Sequence, residues 1–146
     1  MEPRLDFYKA SPEATRAMIA FSAATEKLGL EHSLLELVKL RASQINGCAF
    51  CIDMHCADAR KAGETERRLY AVTAWRETPF FTPRERAALA WTETVTRIST
   101  HGAPDDAYAA LDAQFTQKEQ MDRTLAISMI NCWNRLAISF RKTPDA

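Results

Sequence analysis

The 146-residue chain has the length of one ordinary domain, enough to bury a hydrophobic core without metal or disulfide staples. Its residues are 47% hydrophobic and 26% charged, and 19 basic against 19 acidic side chains leave no basic excess for a nucleic-acid footprint. No apolar run approaches the roughly 18 to 20 residues of a membrane span. The opening MEPRLDFYKASPEATR lacks the apolar stretch and cleavage site of a secretory signal, so the expected compartment is the cytoplasm.

Helical signals run along the whole chain. Ser11-Pro12-Glu13 reads as an N-cap followed by proline at the first helical position. The helix it opens carries Met18, Ile19 and Phe21 and should stop near Gly29. A second helix is expected from about Glu31 to Gln44, with Leu34, Leu37, Val38 and Leu40 near one face, broken by Asn46-Gly47. A third covers about Cys48 to Lys61 and ends at Gly63, and a short fourth runs from Thr65 to Trp75. Thr82-Pro83-Arg84-Glu85 is a capping box that opens a fifth helix through Leu89, Trp91 and Val95. His101-Gly102-Ala103-Pro104 separates it from a short helix at about Asp105 to Phe115. Thr116 and Glu119 form a second capping box before a long last helix carrying Leu125, Ile127, Met129, Ile130, Trp133, Leu136, Ala137 and Phe140. No run of alternating strand residues competes. The expected architecture is a single all-α domain over 1–146, with a last helix apolar on so many sides that it calls for a neighbouring subunit.

The segment NGCAFCIDMHC, residues 46–56, holds three of the four cysteines and one of the three histidines. Cys48 and Cys51 stand three apart at the start of the third helix, within reach of a disulfide after modest adjustment. A helix N-terminus carries about half a positive charge and free N–H donors, which favour thiolate over thiol. Position and spacing therefore point to redox chemistry, the use that close cysteine pairs find in a reducing compartment when they do not bind metal.

His55 lies one turn beyond Cys51, so its imidazole can reach that sulfur directly or through water, and its ordinary pKa of about 6.5 suits proton transfer near neutrality. A packed helix histidine is the plainer reading, which the neighbouring cysteine pair disfavours. Glu36 sits amid LLELVKL. On the inner side of its helix it would be desolvated, its pKa raised, and suited to accept a proton. On the outer side it would be an exposed acid bridged to Lys39, and spacing leaves the two open. Cys56 should point about 100° away from the pair around the helix. Cys132 is expected to be a small core residue, His32 and His101 to be solvated, the tryptophans to be core or interface, and Tyr70 to be available to a pocket. A structural zinc site from Cys48, Cys51, His55 and Cys56 is disfavoured, because such sites draw on two separated ligand pairs.

The stretch ELVKLRASQINGCAFCIDMHCADARKAG resembles the core of the alkyl hydroperoxidase D-like branch of the carboxymuconolactone decarboxylase family. The resemblance lies in an acid twelve positions before the first cysteine, then Cys-x-x-Cys, then histidine, here Glu36, Cys48, Cys51 and His55. RLYAVTAWRETPFFTPRERAALAWTETVT and INCWNRLAISFR extend it, to about residues 31–141. It implies an all-helical fold assembled into trimers or hexamers, with the thiol site near a subunit interface. It also implies reduction of hydrogen peroxide or organic hydroperoxides without metal or bound cofactor. Glu36 and His55 would take the proton from Cys51, whose thiolate attacks the peroxide. Cys48 would resolve the sulfenic acid to a disulfide, and an external dithiol or protein reductant would reset the pair. The opposite order, with Cys48 attacking, stays open. One departure is Phe50, which stands where the best-known peroxidase of the family has a second histidine. Two other uses remain: a carboxymuconolactone-type decarboxylase, which leaves the cysteine pair unexplained, and a non-enzymatic thiol sensor, which needs the same reactive sulfur.

Overall fold

The computed structural model describes residues 2–145, and among them all regular structure is helical. The chain opens with a turn that periodicity did not predict, α1 (Phe7–Ala10). The Asp6 carboxylate caps it by accepting from the N–H groups of Tyr8 and Lys9. Then α2 (Pro12–Glu26) starts with proline at its first turn. Ser11 takes the N-cap position, but its side chain makes no capping bond.

The central element is α3 (His32–Asn46), packed against α4 (Ala49–Lys61), α6 (Pro83–Thr96) and α9 (Gln117–Phe140). Every residue of α3 from Leu34 to Leu40 is buried. Three faces of one helix therefore need three kinds of neighbour. Leu34 and Val38 join Ala88, Trp91, Leu111, Phe115 and Ile127 in one apolar cluster. Leu37 and Leu40 join Leu69, Val72, Trp75, Phe81 and Leu89 in a second. Complete burial of each such leucine contributes roughly 1.5–3 kcal/mol. The third face carries Glu36, Lys39 and Ser43, all buried, and it builds the site described below.

A tight turn joins α3 to α4. Gly47 has φ +72° and ψ 34°, left-handed backbone that glycine adopts without a Cβ penalty, and its N–H closes the end of α3 onto Ser43 and Gln44. The third helix was expected to begin at Cys48; that residue is instead the N-cap, one position outside α4.

The expected helix over Thr65–Trp75 is two pieces, α5 (Glu66–Ala71) and a 3-10 stretch, Val72–Glu77, in which Ala74 leaves helical geometry at φ −121°, ψ 31°. Tertiary contacts override local preference here. Trp75 is buried in the second cluster and donates its indole N–H to Glu93 at 2.9 Å. Beyond α6 come a single turn, α7 (Ile98–His101), and α8 (Asp105–Asp112). The chain leaves α8 three residues before Phe115, which nevertheless seals the first cluster.

Polarity is not a guide to which side of α9 faces inward. Gln120, Asp122, Arg123, Asn131 and Asn134 are buried, whereas Met121 and Ile138 are exposed. Cys132, expected in the core, is also exposed. The reason is the pairing of its neighbours: Asn46 donates to the side-chain oxygens of Asn131 (3.0 Å) and Asn134 (2.9 Å), and Asn134 donates to Ser43 Oγ (3.0 Å). Those bonds turn the asparagines toward α3 and leave Cys132 on the outer side.

Both predicted capping boxes are present, Thr82–Glu85 on α6 and Thr116–Glu119 on α9. The Thr116 backbone N–H and the Arg84 guanidinium hold the Glu119 carboxyl at a pKa of about 2. A carboxyl depressed in the fold stabilises it fully above its ordinary value, and the contribution fades as pH falls toward the depressed one. Thr116→Ala should cost about 1 kcal/mol in urea denaturation. Glu119→Gln keeps a capping oxygen without the charge, so its cost should be full at pH 7, shrink below about 4.5 and vanish near 2.

Candidate active site

The turn at Gly47 delivers the two cysteines. Cys48 has extended backbone (φ −86°, ψ 94°) and its Sγ accepts from the Cys51 N–H at 3.4 Å, the capping position where serine or aspartate is usual. Cys48 and Cys51 are paired as a disulfide, with Cα atoms 5.4 Å apart. Both are buried, packed with Ala137 of α9 and flanked by Phe50. The pair thus occupies the N-terminal end of α4, where free N–H groups and the helix dipole favour negative sulfur once the bond is reduced.

Behind the pair lies a chain of charges. Glu36, Lys39 and His55 are only 3%, 5% and 5% exposed. Glu36 Oε2 lies 2.8 Å from His55 Nδ1 and Glu36 Oε1 accepts from Lys39 Nζ at 2.9 Å. Lys39 also donates to Glu26 at the end of α2. Both readings of Glu36 were half right, since it is buried and also paired with Lys39. Its expected raised pKa is not found. Burial pushes the carboxyl up, but the hydrogen bond from His55 and the Lys39 ammonium outweigh it and hold Glu36 below the ordinary carboxylate range. Lys39 shows the reciprocal result: burial works against its charge, yet Glu26 and Glu36 hold its pKa above normal. By the sign of those shifts, Glu36 favours the fold above the ordinary carboxylate range and loses that contribution in acid. Lys39 keeps its contribution through neutrality and loses it only in strong alkali.

An ionised carboxylate can only accept, so the proton between Glu36 and His55 belongs to Nδ1. In the neutral form of the ring, Nε2 then carries the lone pair. That atom is buried and has no hydrogen-bond partner among the described residues. A buried nitrogen without a partner is uncommon, and a catalytic role is one explanation for it.

A cavity of about 630 Å³ opens at this point, bordered by Glu36, Cys51 and His55 and walled by Phe50, Met129 and Trp133. The Cys51 residue lines it, whereas Cys48 sits behind as the cap. His32 is exposed, as expected, yet also borders this cavity, and His101 is exposed. Cys56 packs against the second apolar cluster, away from the pair. Tyr70 is 74% exposed and does not border this cavity, so the pocket role open to it is not taken here. Sequence reasoning missed Lys39 as a buried hub and the Ser43–Asn46–Asn134 seam that anchors the cysteine turn. The available signals were a lysine inside an otherwise apolar helix stretch and two asparagines three apart in an apolar one.

Among the described residues, Glu36, His55 and Asp58 place ligand atoms within 4.8 Å of one another, a possible cation cluster. Lys39 already supplies the counter-charge to Glu36, which weakens that use. Lys39→Met should therefore destabilise the fold by about 3–5 kcal/mol in urea denaturation, because it strands a buried carboxylate. Adding Glu36→Gln should recover part of the loss.

Residues 12–94 match the carboxymuconolactone decarboxylase family. Over 139 residues the chain is 41% identical to the uncharacterised protein YdfG of Bacillus subtilis, covering 95% of each. It is 46% identical to a crystal structure of a protein of unknown function from Agrobacterium tumefaciens, proposed to be an antioxidant defence protein AhpD. That match has a TM-score of 0.97 and covers 99% of this chain and 100% of the other. An uncharacterised peroxidase-related protein from Ralstonia eutropha with an alkylhydroperoxidase AhpD core shares the fold at TM-score 0.82 and 24% identity, over 94% of this chain and 74% of that one. Helical architecture, cysteine pair and relatives agree: the chain belongs to the carboxymuconolactone decarboxylase family, in its alkyl hydroperoxidase D-like branch.

Proposed function

We propose that the protein is a thiol peroxidase that reduces hydroperoxides through Cys51 and Cys48, with Glu36 and His55 as its proton relay. The observation that carries this reading is the buried, unpartnered Nε2 of His55, oriented by Glu36 one helical turn from a cysteine pair at the wall of a cavity. With the pair reduced, His55 Nε2 takes the Cys51 proton, and Glu36 stabilises the imidazolium as the acid of a catalytic triad does. The thiolate attacks the nearer peroxide oxygen. The O–O bond breaks, the alkoxide leaves with the proton from His55 as an alcohol, and Cys51 becomes a sulfenic acid. The Cys48 thiol then displaces hydroxide from that sulfur, releasing water and forming the Cys48–Cys51 bond. Two electrons pass from the pair to the peroxide, and an external dithiol, small or protein, returns them. Cys51 is given the attacking role because it borders the cavity while Cys48 caps the helix behind it.

Phe50 leaves no imidazole between the cysteines, so in this chain the relay is Glu36 and His55 alone. A decarboxylase would have no use for the paired sulfurs. The same reading takes the chain as a homo-oligomer, trimer or hexamer, supported by Met121 and Ile138 exposed on α9.

Peroxide consumption with excess dithiol should be catalytic in the native protein and fall at least a hundredfold in Cys51→Ser. In Cys48→Ser a sulfenic acid should be trapped at Cys51. Unchanged turnover in Cys51→Ser would reject the reading, and a sulfenic acid at Cys48 in that variant would invert the order of attack. One equivalent consumed without turnover would leave a sensor.

A further inference from the structure

We infer that the cavity takes an organic hydroperoxide with an aromatic or branched apolar body and a carboxylate at its other end; this rests on the peroxidase reading above. Size is the first reason. A volume of about 630 Å³ lies within the roughly 300–1,000 Å³ of organic-ligand pockets, and corresponds to about twenty water volumes where hydrogen peroxide needs one or two. Its wall is the second. Tyr8, Phe50, Met129, Ile130 and Trp133 present aromatic, aliphatic and thioether surface that a small polar peroxide would leave bare.

Charge is the third. The cavity is bordered by three acids, Glu26, Glu36 and Asp58, and three lysines, Lys39, Lys61 and Lys142. Lys39 is shared by Glu26 and Glu36, and Lys61 lies 3.5 Å from Asp58. That leaves Lys142, half-buried, with no carboxylate partner among the described residues. Its ammonium rests over the Phe50 ring at 4.6 Å and the Tyr8 ring at 5.3 Å. Aromatic faces hold a cation in place without neutralising it. Phe50 immediately precedes Cys51, so this ammonium is fixed on the same stretch of wall as the reacting sulfur. A ligand carboxylate would pair with that ammonium, with the apolar body across the cavity and the hydroperoxide at Cys51. The reaction balances as before: one hydroperoxide and two thiols give one alcohol, one water and the disulfide, and the carboxylate is unchanged.

The test compares kcat/KM for cumene hydroperoxide and its para-carboxy analogue. The native protein should prefer the carboxylate about tenfold, as a charge-assisted contact implies. Lys142→Gln should bring the ratio to about one, and Lys142→Arg should keep most of it. Equal rates in the native protein, or a ratio unmoved by Lys142→Gln, would overturn the inference. Calorimetry with 4-isopropylbenzoate, which carries no peroxide, separates the two readings; binding should weaken about tenfold in Lys142→Gln. That binding without turnover of any peroxide would remove the peroxidase and keep the anion site. Turnover without binding or discrimination would remove the anion site and keep the peroxidase.

Discussion

A carboxylate held between an imidazole and an ammonium, out of reach of water, is the constraint around which the site is arranged. Glu36 could not sit 3% exposed as an anion without both partners, because desolvating an unpaired carboxylate costs several kcal/mol. Lys39 neutralises one oxygen and is itself steadied by Glu26, so the other oxygen is free to orient His55. Three elements meet there: the end of α2, the middle of α3 and the second turn of α4. The pairing therefore also fixes how α4 lies against α3. Removing the Lys39 charge leaves the buried Glu36 carboxylate without its ammonium partner.

The cysteine turn is held from the opposite direction. Gly47 reverses the chain in backbone that other residues adopt only with strain, and Asn46 ties that reversal to Asn131 and Asn134 on α9. One wall of the site is thus anchored by neutral amides and the other by ion pairs. The sulfurs lie between them, capping α4 with Cys48 and facing the cavity with Cys51. A setting anchored on both sides suits the proposed cycle, in which the bond forms and breaks between fixed helices.

Much of this was legible before any coordinates. Local grammar gave both capping boxes, the Pro12 and Pro83 starts and the Gly47 stop, because each depends on residues within one turn. The Glu36, Cys48, Cys51 and His55 set was legible from spacing and family resemblance together. What failed depended on contacts far apart in sequence. The segment 65–75 breaks because Trp75 finds Glu93 in α6, and Cys132 faces outward because its asparagine neighbours find Ser43 and Asn46 in α3. Burial of Glu36 was one of two readings that spacing left open, and its pKa direction required knowing that Lys39 and His55 both reach it. A desolvation argument without the partner charges gives the wrong sign.

The most direct test of this arrangement is the protonation state of the His55 ring in the disulfide form at neutral pH, read from ring-nitrogen NMR shifts in uniformly 15N-labelled protein. The account predicts that the neutral imidazole carries its proton on Nδ1, facing Glu36, and leaves Nε2 unprotonated. A neutral ring with its proton on Nε2 would leave no lone pair for the thiol and would contradict the account.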